Sequence, residues 1–259
     1  MPRRLILSSA LLYTVAFNLT FLIQELFLVL PKALVPGLHP ILYHNNHTWQ
    51  GSNPLASLLQ GTGVLATLLS ALLSLLLLRL RALGRGVRLF LVWMAFSGFF
   101  MALPQVVIGT LLPGSDVGMV MQYLRLDTAT RAGAALAASL LMPLAGRAVA
   151  AGFLGCAPEG AQLPNTRARL RYLVQLAVLP ALIAIPMIIA FRVPRELIEV
   201  VAVPAVVSSL GALSVLAFAR QGRTVRSPAA WRAPIALPLA AAVTLLAVFQ
   251  LFLRRGIPF

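Results

Sequence analysis

The residue best placed to do chemistry is Glu25, an acidic side chain inside a long apolar stretch. It stands in the segment FLIQELFL at residues 21–28. A carboxylate in a membrane span is costly, less so near an interface, and usually faces a partner or a wet cavity. The expected partners are polar side chains elsewhere in the chain: Gln60, Gln105, Gln250 and the histidines. Glu25 is therefore a candidate catalytic acid or base of a proton or metal site, the alternative being a polar clasp between helices.

Two histidines in the segment HNNH, His44 and His47, are the second candidate. A spacing of three on a helical turn puts both imidazoles on one side, and two histidines with a carboxylate can bind zinc, copper or iron. Asp116 is the candidate carboxylate ligand, and His39 could add a further nitrogen. Because the asparagines between the histidines favour turns, the alternative is an interfacial loop at the level of the lipid headgroups.

Residues 21–28 and 112–118 (LPGSDVG) together resemble the site-2-protease-like membrane metallopeptidases. That family carries H-E-x-x-H on one transmembrane helix and an aspartate ligand in an N-x-x-P-x-x-P-L-D-G-like motif on a later one. The resemblance matches Glu25 with the family's general base and Asp116 with its carboxylate ligand.

The chain departs from that family at the zinc-binding histidines, whose places are taken by Gln24 and Leu28. Without those histidines the metal is not held and the water is not activated. The resemblance therefore implies a degenerate relative that has lost proteolysis. His44 and His47 are the residues that could supply nitrogens from the loop instead.

Other catalytic and cofactor motifs are missing from the sequence: there is no G-x-S-x-G, P-loop or C-x-x-C. Cys156 is the only cysteine, which excludes an internal disulfide and a thiolate cluster. Lys32 is the only lysine and falls in a predicted loop, so a retinal Schiff base in the last helix is excluded. The cofactor stays open: one divalent metal (zinc, copper or iron), or a bound lipid or pigment.

Composition indicates that these residues are held by a membrane. Of 259 residues 60% are hydrophobic and 10% charged, with a mean hydropathy of +0.92, whereas soluble domains have about 45–50% apolar and about 25% charged residues. A span needs about 20 mostly apolar residues. We predict a single all-α membrane domain over residues 1–259, a bundle of about seven transmembrane helices, with six plus a re-entrant segment as the alternative. The predicted spans are 5–30, 58–78, 89–112, 132–153, 172–191, 197–219 and 234–253.

Arginines at the ends of these segments predict the orientation. With the N-terminus in the cytoplasm, fourteen of the 21 basic residues fall on the inner side, and the net charge of +15 reflects topology rather than nucleic-acid binding. The outer loop 31–57 then carries the histidines, and 154–171 is a cytoplasmic loop. The composition, rich in Arg, Leu and Ala, is typical of a GC-rich bacterium, which predicts the bacterial inner membrane.

Two further stretches could contact a partner. Trp93, Phe96, Phe99 and Phe100 form an aromatic stripe that could face a partner, pigment or lipid, or simply pack between helices. Small residues in the segment AGAALAAS at 132–139 let helices approach closely, within the bundle or between copies.

Three functions are compatible with these features. We favour a non-catalytic subunit or scaffold of a larger bacterial membrane complex of the photosynthetic, respiratory or oxygenase type, which implies other membrane subunits as partners. The first alternative is a membrane metalloenzyme, or degenerate metallopeptidase, with a metal site on the outer face. The second is a small-solute transporter, which would need a polar cavity at the midplane.

Overall fold

The fold is a helical bundle with seven spans long and apolar enough to cross a membrane, which confirms the predicted class. The computed structural model describes residues 3–80, 83–157, 163, 165–194, 197–219 and 235–259, apart from the side chains of 197–199. Within these residues the spans are Arg3–Ala33, Leu55–Leu77, Arg85–Leu111, Thr128–Gly155, Thr166–Arg192, Val200–Ala217 and Ala236–Arg255. Each overlaps one predicted segment, because a long apolar run satisfies its backbone in a bilayer only as a helix.

The helices and strands have the following bounds: α1 (Arg3–Ala33), β1 (His39–Leu42), β2 (His47–Gln50), α2 (Leu55–Leu59), α3 (Gly61–Leu77), α4 (Arg85–Leu111), α5 (Asp116–Tyr123), α6 (Thr128–Gly155), α7 (Thr166–Leu173), α8 (Leu179–Arg192), α9 (Leu197–Ala217), α10 (Ala236–Ala247) and β3 (Ile257–Pro258). A π-helical turn, Val174–Val178, joins α7 to α8. A second one, Val248–Phe252, continues α10 into a 3-10 turn at Leu253–Arg255.

The bundle has two distinct ends. We call the end where α1 stops and β1 and β2 lie the hairpin end, and the end where α1 and α4 begin the arginine end. The segment 31–57, predicted as a loop, is largely structured: α1 runs to Ala33, so Lys32 lies in a helix rather than in a loop. Of the predicted loop 154–171, residues 158–162 and 164 lie outside the described residues.

Helices α1 and α4 form the centre of the bundle. In the most apolar 18-residue stretch of each helix, 67% and 72% of the residues are buried, against 22% in the same kind of stretch of the last span. Polar side chains join α1 to its neighbours: Ser9 donates to the carbonyl of Leu176 at 2.7 Å and accepts from Trp93 Nε1 at 3.0 Å. The hydroxyls of Tyr13 and Ser208 lie 2.8 Å apart. Such bonds help to hold membrane helices together, because inside a bilayer no hydrophobic effect drives helices to associate.

The aromatic stripe of α4 lies inside this centre. Trp93, Phe96 and Phe100 are 0% exposed and Phe99 is 7% exposed. The Trp93 ring packs 4.3 Å from Tyr13 and 4.7 Å from Phe153, measured between ring centroids. The prediction that these four side chains contact a partner or lipid is therefore wrong. They are the packing core between α1, α4 and α6, which was the alternative.

The small residues of α6 lie mostly on the outside. Between residues 132 and 139 only Ala138 is buried, and Leu136 and Leu140 are 62% and 63% exposed. A Cβ added at Gly133 would meet nothing within 4 Å. This stretch therefore does not pack closely within the described bundle, which leaves contact with lipid or with another chain.

A small sheet covers the hairpin end, with strand order β2-β1-β3. β1 and β2 form an antiparallel hairpin, and β3 pairs with β1 at Ile41↔Pro258. Gly256 turns the chain into β3 with φ +82°, and a Cβ there would lie 2.5 Å from the Tyr43 ring. Because β3 follows the seventh span and lies at the hairpin end, that span crosses the bundle, and the re-entrant alternative is wrong.

Candidate functional site

A cavity of about 520 Å³ lies at the hairpin end, between the bundle and the β-hairpin. Its polar lining includes Gln24, Glu25, His47, Gln60, Gln105 and Asp116. Its apolar lining includes Phe21, Phe100, Met101, Pro104, Ile108 and Val207. The volume falls within the range of about 300–1,000 Å³ that is usual for small-molecule sites, which likewise combine a few polar groups with apolar walls.

Glu25 lies in this cavity and is paired with a histidine. Its Oε2 is 2.9 Å from Nδ1 of His47, and the two side chains are 6% and 8% exposed. Of the partners expected for Glu25, His47 is the one in contact. Gln250 instead donates to carbonyls at the end of α8, including that of Ala190 at 2.9 Å, and so caps a helix end.

The other nitrogen of His47 meets a buried lysine and an amide. Nε2 lies 3.0 Å from Gln60 Oε1 and 3.3 Å from Lys32 Nζ. Lys32 is 0% exposed and also donates to Gln60 Oε1 at 2.6 Å and to the carbonyl of Leu28 at 2.8 Å. Glu25, His47, Lys32 and Gln60, which we call the clamp, therefore connect α1, β2 and the junction of α2 and α3.

The contacts of the clamp restrict where its protons can lie. An ionised carboxylate only accepts, so His47 carries a proton on Nδ1 and donates it to Glu25. The three protons of the Lys32 ammonium match its three contacts, which makes Nε2 of a neutral His47 an acceptor. A second proton on Nε2 would let the ring donate to Gln60, but it would place two cations 3.3 Å apart. The neutral ring therefore satisfies the contacts with Glu25 and Lys32, and it leaves Nε2 and Gln60 Oε1 as two acceptors that both receive protons of Lys32.

Trp49 covers the clamp from the hairpin side. Its ring stacks with that of His47 at 5.9 Å between centroids and an interplanar angle of 18°. The Lys32 ammonium lies 4.8 Å from the centre of the same indole ring. A cation over an indole face is favourable, more so when water is excluded, so Trp49 stabilises the buried charge and separates it from the solvent.

Further polar contacts lie deeper in the cavity. Gln105 on α4 donates to Gln24 on α1 at 3.1 Å. Gln24 is the residue that takes the position of a zinc-binding histidine in the metallopeptidase resemblance. The Arg192 guanidinium, 1% exposed, lies 4.1 Å from the centre of the Phe21 ring. The cavity thus holds both signs of charge close to amide groups and aromatic rings.

Asp116 enters the cavity from α5. It is the first residue of that helix, and Ser115 caps the helix by accepting from the Gly118 N–H at 3.3 Å. A carboxylate is favourable at this position because a helix N-terminus carries partial positive charge. Asp116 and Glu25, which the sequence resemblance assigned to one site, therefore line one cavity.

The predicted metal ligands are not gathered into one group. His44 occupies the hairpin turn closed by the Tyr43–Asn46 hydrogen bond, and its Nε2 donates to the carbonyl of Val193 at 3.2 Å. His39 is exposed at the start of β1. Among the described residues no group of three or more His, Cys, Asp or Glu could hold a metal ion. The predicted site of His44, His47 and Asp116 is corrected accordingly, because a hairpin, unlike a helical turn, sends the two imidazoles to different neighbours.

Comparison with known proteins gives no relative. No protein-family model, curated protein or solved structure matches the chain. The function is therefore argued from the cavity and its clamp.

Sequence reasoning missed Lys32 and Trp49 as members of this site, and it named Gln60 as a partner of Glu25 rather than of His47 and Lys32. A signal for Lys32 was present, because residues seven apart lie on the same face of a helix, and the only lysine follows Glu25 by seven positions. The prediction of a loop from residue 31 hid this signal, although Lys32 lies within α1. Gln60 and Trp49 reach the site through the packing of separate segments, which no local spacing encodes.

Proposed function

We propose that this protein is a non-catalytic membrane protein that binds a small molecule of mixed polarity in the cavity at the hairpin end. The observation that carries the proposal is the clamp at the cavity wall. Both ring nitrogens of His47 are engaged, Nδ1 by Glu25 and Nε2 by Lys32, so the ring holds the hairpin over the cavity. Gln24, Gln105 and Asp116 also line the cavity.

The lining supports a ligand with a hydrogen-bonding end and an apolar body. Amides and carboxylates recognise donors and acceptors, while the walls formed by Phe100, Met101 and Ile108 favour an apolar portion. Polar groups held inside a membrane span are costly and usually serve a site. The network around Glu25 fits that expectation.

A role as a subunit of a larger membrane complex accompanies this proposal. The exposed small-residue face of α6 supports it, since such faces let helices of different chains approach closely. Gly133 and the exposed Leu136 and Leu140 lie on this stretch. The partner complex would then place a ligand or lipid beside the cavity.

Descent from site-2-protease-like metallopeptidases with loss of proteolysis is a second proposal. One specific observation favours it: Glu25 and Asp116, which match that family's general base and carboxylate ligand, line the same cavity. Gln24, in place of a zinc-binding histidine, bonds to Gln105 instead. On this proposal an ancestral catalytic cavity has become a binding cavity.

The test is to purify the full chain from its native membranes in mild detergent and to identify bound small molecules and proteins by mass spectrometry. Ile108→Trp would fill the cavity, because Ile108 lines it and is 40% exposed. Leu111→Trp is the matched control, because Leu111 is 72% exposed on the same helix and outside the lining.

We expect a small molecule at about one per chain in the wild type and in Leu111→Trp, and its loss in Ile108→Trp. A ligand retained equally by all three chains would contradict binding in the cavity. Uptake of the identified molecule into vesicles that contain the protein would replace the binding role with a transporter.

A further inference from the structure

A second candidate site lies at the arginine end, around the side chain of Arg85. Arg85 is 8% exposed, and within the part of the chain that the structure describes none of its three guanidinium nitrogens has a hydrogen-bond partner. A buried charge without a partner is strongly unfavourable. Among the described residues, therefore, nothing supplies the acceptor that the buried charge of Arg85 requires.

Tyr172 has the same deficiency in the same place. Its side chain is 7% exposed, and its hydroxyl has no partner among the described residues. It lies within electrostatic range of Arg85 and of Cys156. Burial raises the pKa of the Cys156 thiol to about 12 against the opposing effect of Arg88 and Arg85, so this thiol is neutral and does not supply the missing negative charge.

The backbone adds further donors. Arg85 is the first residue of α4, a helix of 27 residues whose N-cap, Gly84, makes no side-chain capping bond. The first N–H groups of a helix have no partner within the helix and carry partial positive charge, which makes them an anion-binding feature. Arg88 lies one turn further on and donates to the carbonyl of Leu80 at 2.9 Å.

The charge of this end complements an anion. The acidic side chains that the structure describes, Glu25, Asp116 and Asp127, are all at the hairpin end. Of the fourteen arginines that the structure describes, five lie at the hairpin end and eight lie at or near the arginine end: Arg3, Arg4, Arg79, Arg85, Arg88, Arg167, Arg169 and Arg171. A negative group at Arg85 is therefore attracted by its surroundings as well as by its direct donors.

We propose that the arginine end binds a phosphate group, with the Arg85 guanidinium and the Tyr172 hydroxyl as its side-chain donors at the N-terminus of α4. Guanidinium matches the paired oxygens of phosphate better than any other side chain does. The phosphate is either the headgroup of an anionic phospholipid or a soluble phosphate.

An adjoining groove favours the lipid. A groove of about 380 Å³ with mainly apolar lining begins at Gly84 and Gly86, which flank Arg85, and continues along Leu12 of α1 and Pro238 of α10. An acyl chain in this groove would bring its headgroup to the start of α4. Basic clusters at membrane surfaces bind anionic lipids in this way.

The test uses the full chain in phosphatidylcholine nanodiscs. One arm adds phosphatidylglycerol to the nanodisc, and the other adds inorganic phosphate against chloride at equal ionic strength. The readouts are the midpoint of thermal unfolding and the rate at which a maleimide alkylates Cys156, the only cysteine, which is 1% exposed. The variants are Arg85→Gln and Tyr172→Phe, with Arg4→Gln, an exposed arginine at the same end, as the control.

We expect phosphatidylglycerol to raise the midpoint by about 2–4 °C and to slow alkylation in the wild type and in Arg4→Gln. Arg85→Gln should lose this response, and Tyr172→Phe should weaken it. A response to inorganic phosphate alone would support the site with a soluble phosphate as its ligand.

Equal responses of the wild type, Arg85→Gln and Arg4→Gln would show general charge screening and overturn the proposal. If Arg85→Gln does not fold, the response of Tyr172→Phe and the alkylation rate of the wild type decide whether the proposal holds. An alkylation rate of Cys156 that neither anion changes also overturns the proposal. This site is separate from the cavity at the hairpin end, so the two proposals fail independently.

Discussion

Glu25 and His47 are joined across a 2.9 Å contact between Oε2 and Nδ1, which ties a membrane-spanning helix to a strand of the covering sheet. The same ring meets Gln60 and Lys32 through its other nitrogen. The imidazole and Lys32 therefore hold three segments of the chain together, and the position of the hairpin over the cavity depends on them.

The energy of this contact can be measured with a double-mutant cycle of Glu25→Gln and His47→Gln. Because both side chains are buried and hydrogen-bonded, we expect a coupling free energy of about 1–3 kcal/mol in the free energy of unfolding. Reversible denaturant unfolding in detergent micelles gives all four values. Additive effects, with a coupling below about 0.5 kcal/mol, would mean that the two residues are neighbours without a significant bond.

Lys32→Met tests whether the buried ammonium holds the clamp together. The substitution leaves the carbonyl of Leu28 and the Gln60 oxygen without their donor, and we expect the free energy of unfolding to fall by about 2–3 kcal/mol. Arg255→Met removes an exposed positive charge near the same sheet and is the control. Equal small losses in both variants would contradict a structural role for Lys32.

Glycine substitutions should have opposite effects in α4 and α6. A Cβ at Gly98 would lie 2.5 Å from the Thr67 carbonyl oxygen, whereas at Gly133 it would meet nothing within 4 Å. We expect Gly98→Ala to lower the free energy of unfolding by about 1–3 kcal/mol through overpacking. Gly133→Ala should raise it by about 0.5–1 kcal/mol through helix propensity. Thermal unfolding compares the two, and a stable Gly98→Ala would contradict the close approach of α3 and α4.

Trp93→Ala tests the assignment of the aromatic stripe to the core. Trp93 is fully buried against Tyr13 and Phe153, so its truncation should cost about 3–5 kcal/mol of the free energy of unfolding. Phe27 is 50% exposed, and Phe27→Ala should stay within about 1 kcal/mol. The reverse order would mean that the stripe faces outward after all.

The pH dependence of one helix end follows from Asp127. Hydrogen bonds from the Thr130 hydroxyl and N–H hold the pKa of Asp127 below its usual range, and its Oδ1 accepts from the Thr130 N–H at 2.8 Å. A lowered folded-state pKa means that the cap stabilises α6 above the unfolded pKa of about 4 and is lost as pH falls through the folded value. The protection of the Thr130 amide against hydrogen exchange, taken relative to its intrinsic rate at each pH, should therefore fall on acidification. In Asp127→Asn it should not, since an amide oxygen accepts at any pH.

The sequence was sufficient for the spans and insufficient for the site. Long apolar runs permit one structure in a bilayer, which is why all seven helices were found. Glu25 was recognised because a carboxylate stands out in such a run. The hydrogen-bond partner of His44 depends on a turn of the hairpin and on the end of α8, which are far apart in the chain. The missing partner of Arg85 depends on how α4, α6 and α7 pack, which their apolar patterns do not specify.

The pairing of Ile41 with Pro258 has a consequence for biogenesis. The hairpin is made after the first span, but the strand that completes its sheet follows the seventh. During insertion into the membrane the roof of the cavity therefore stays two-stranded until every span has been threaded. The sheet is complete only once the last helix is in place, so an incompletely inserted chain would expose an open sheet edge that quality-control proteases could recognise.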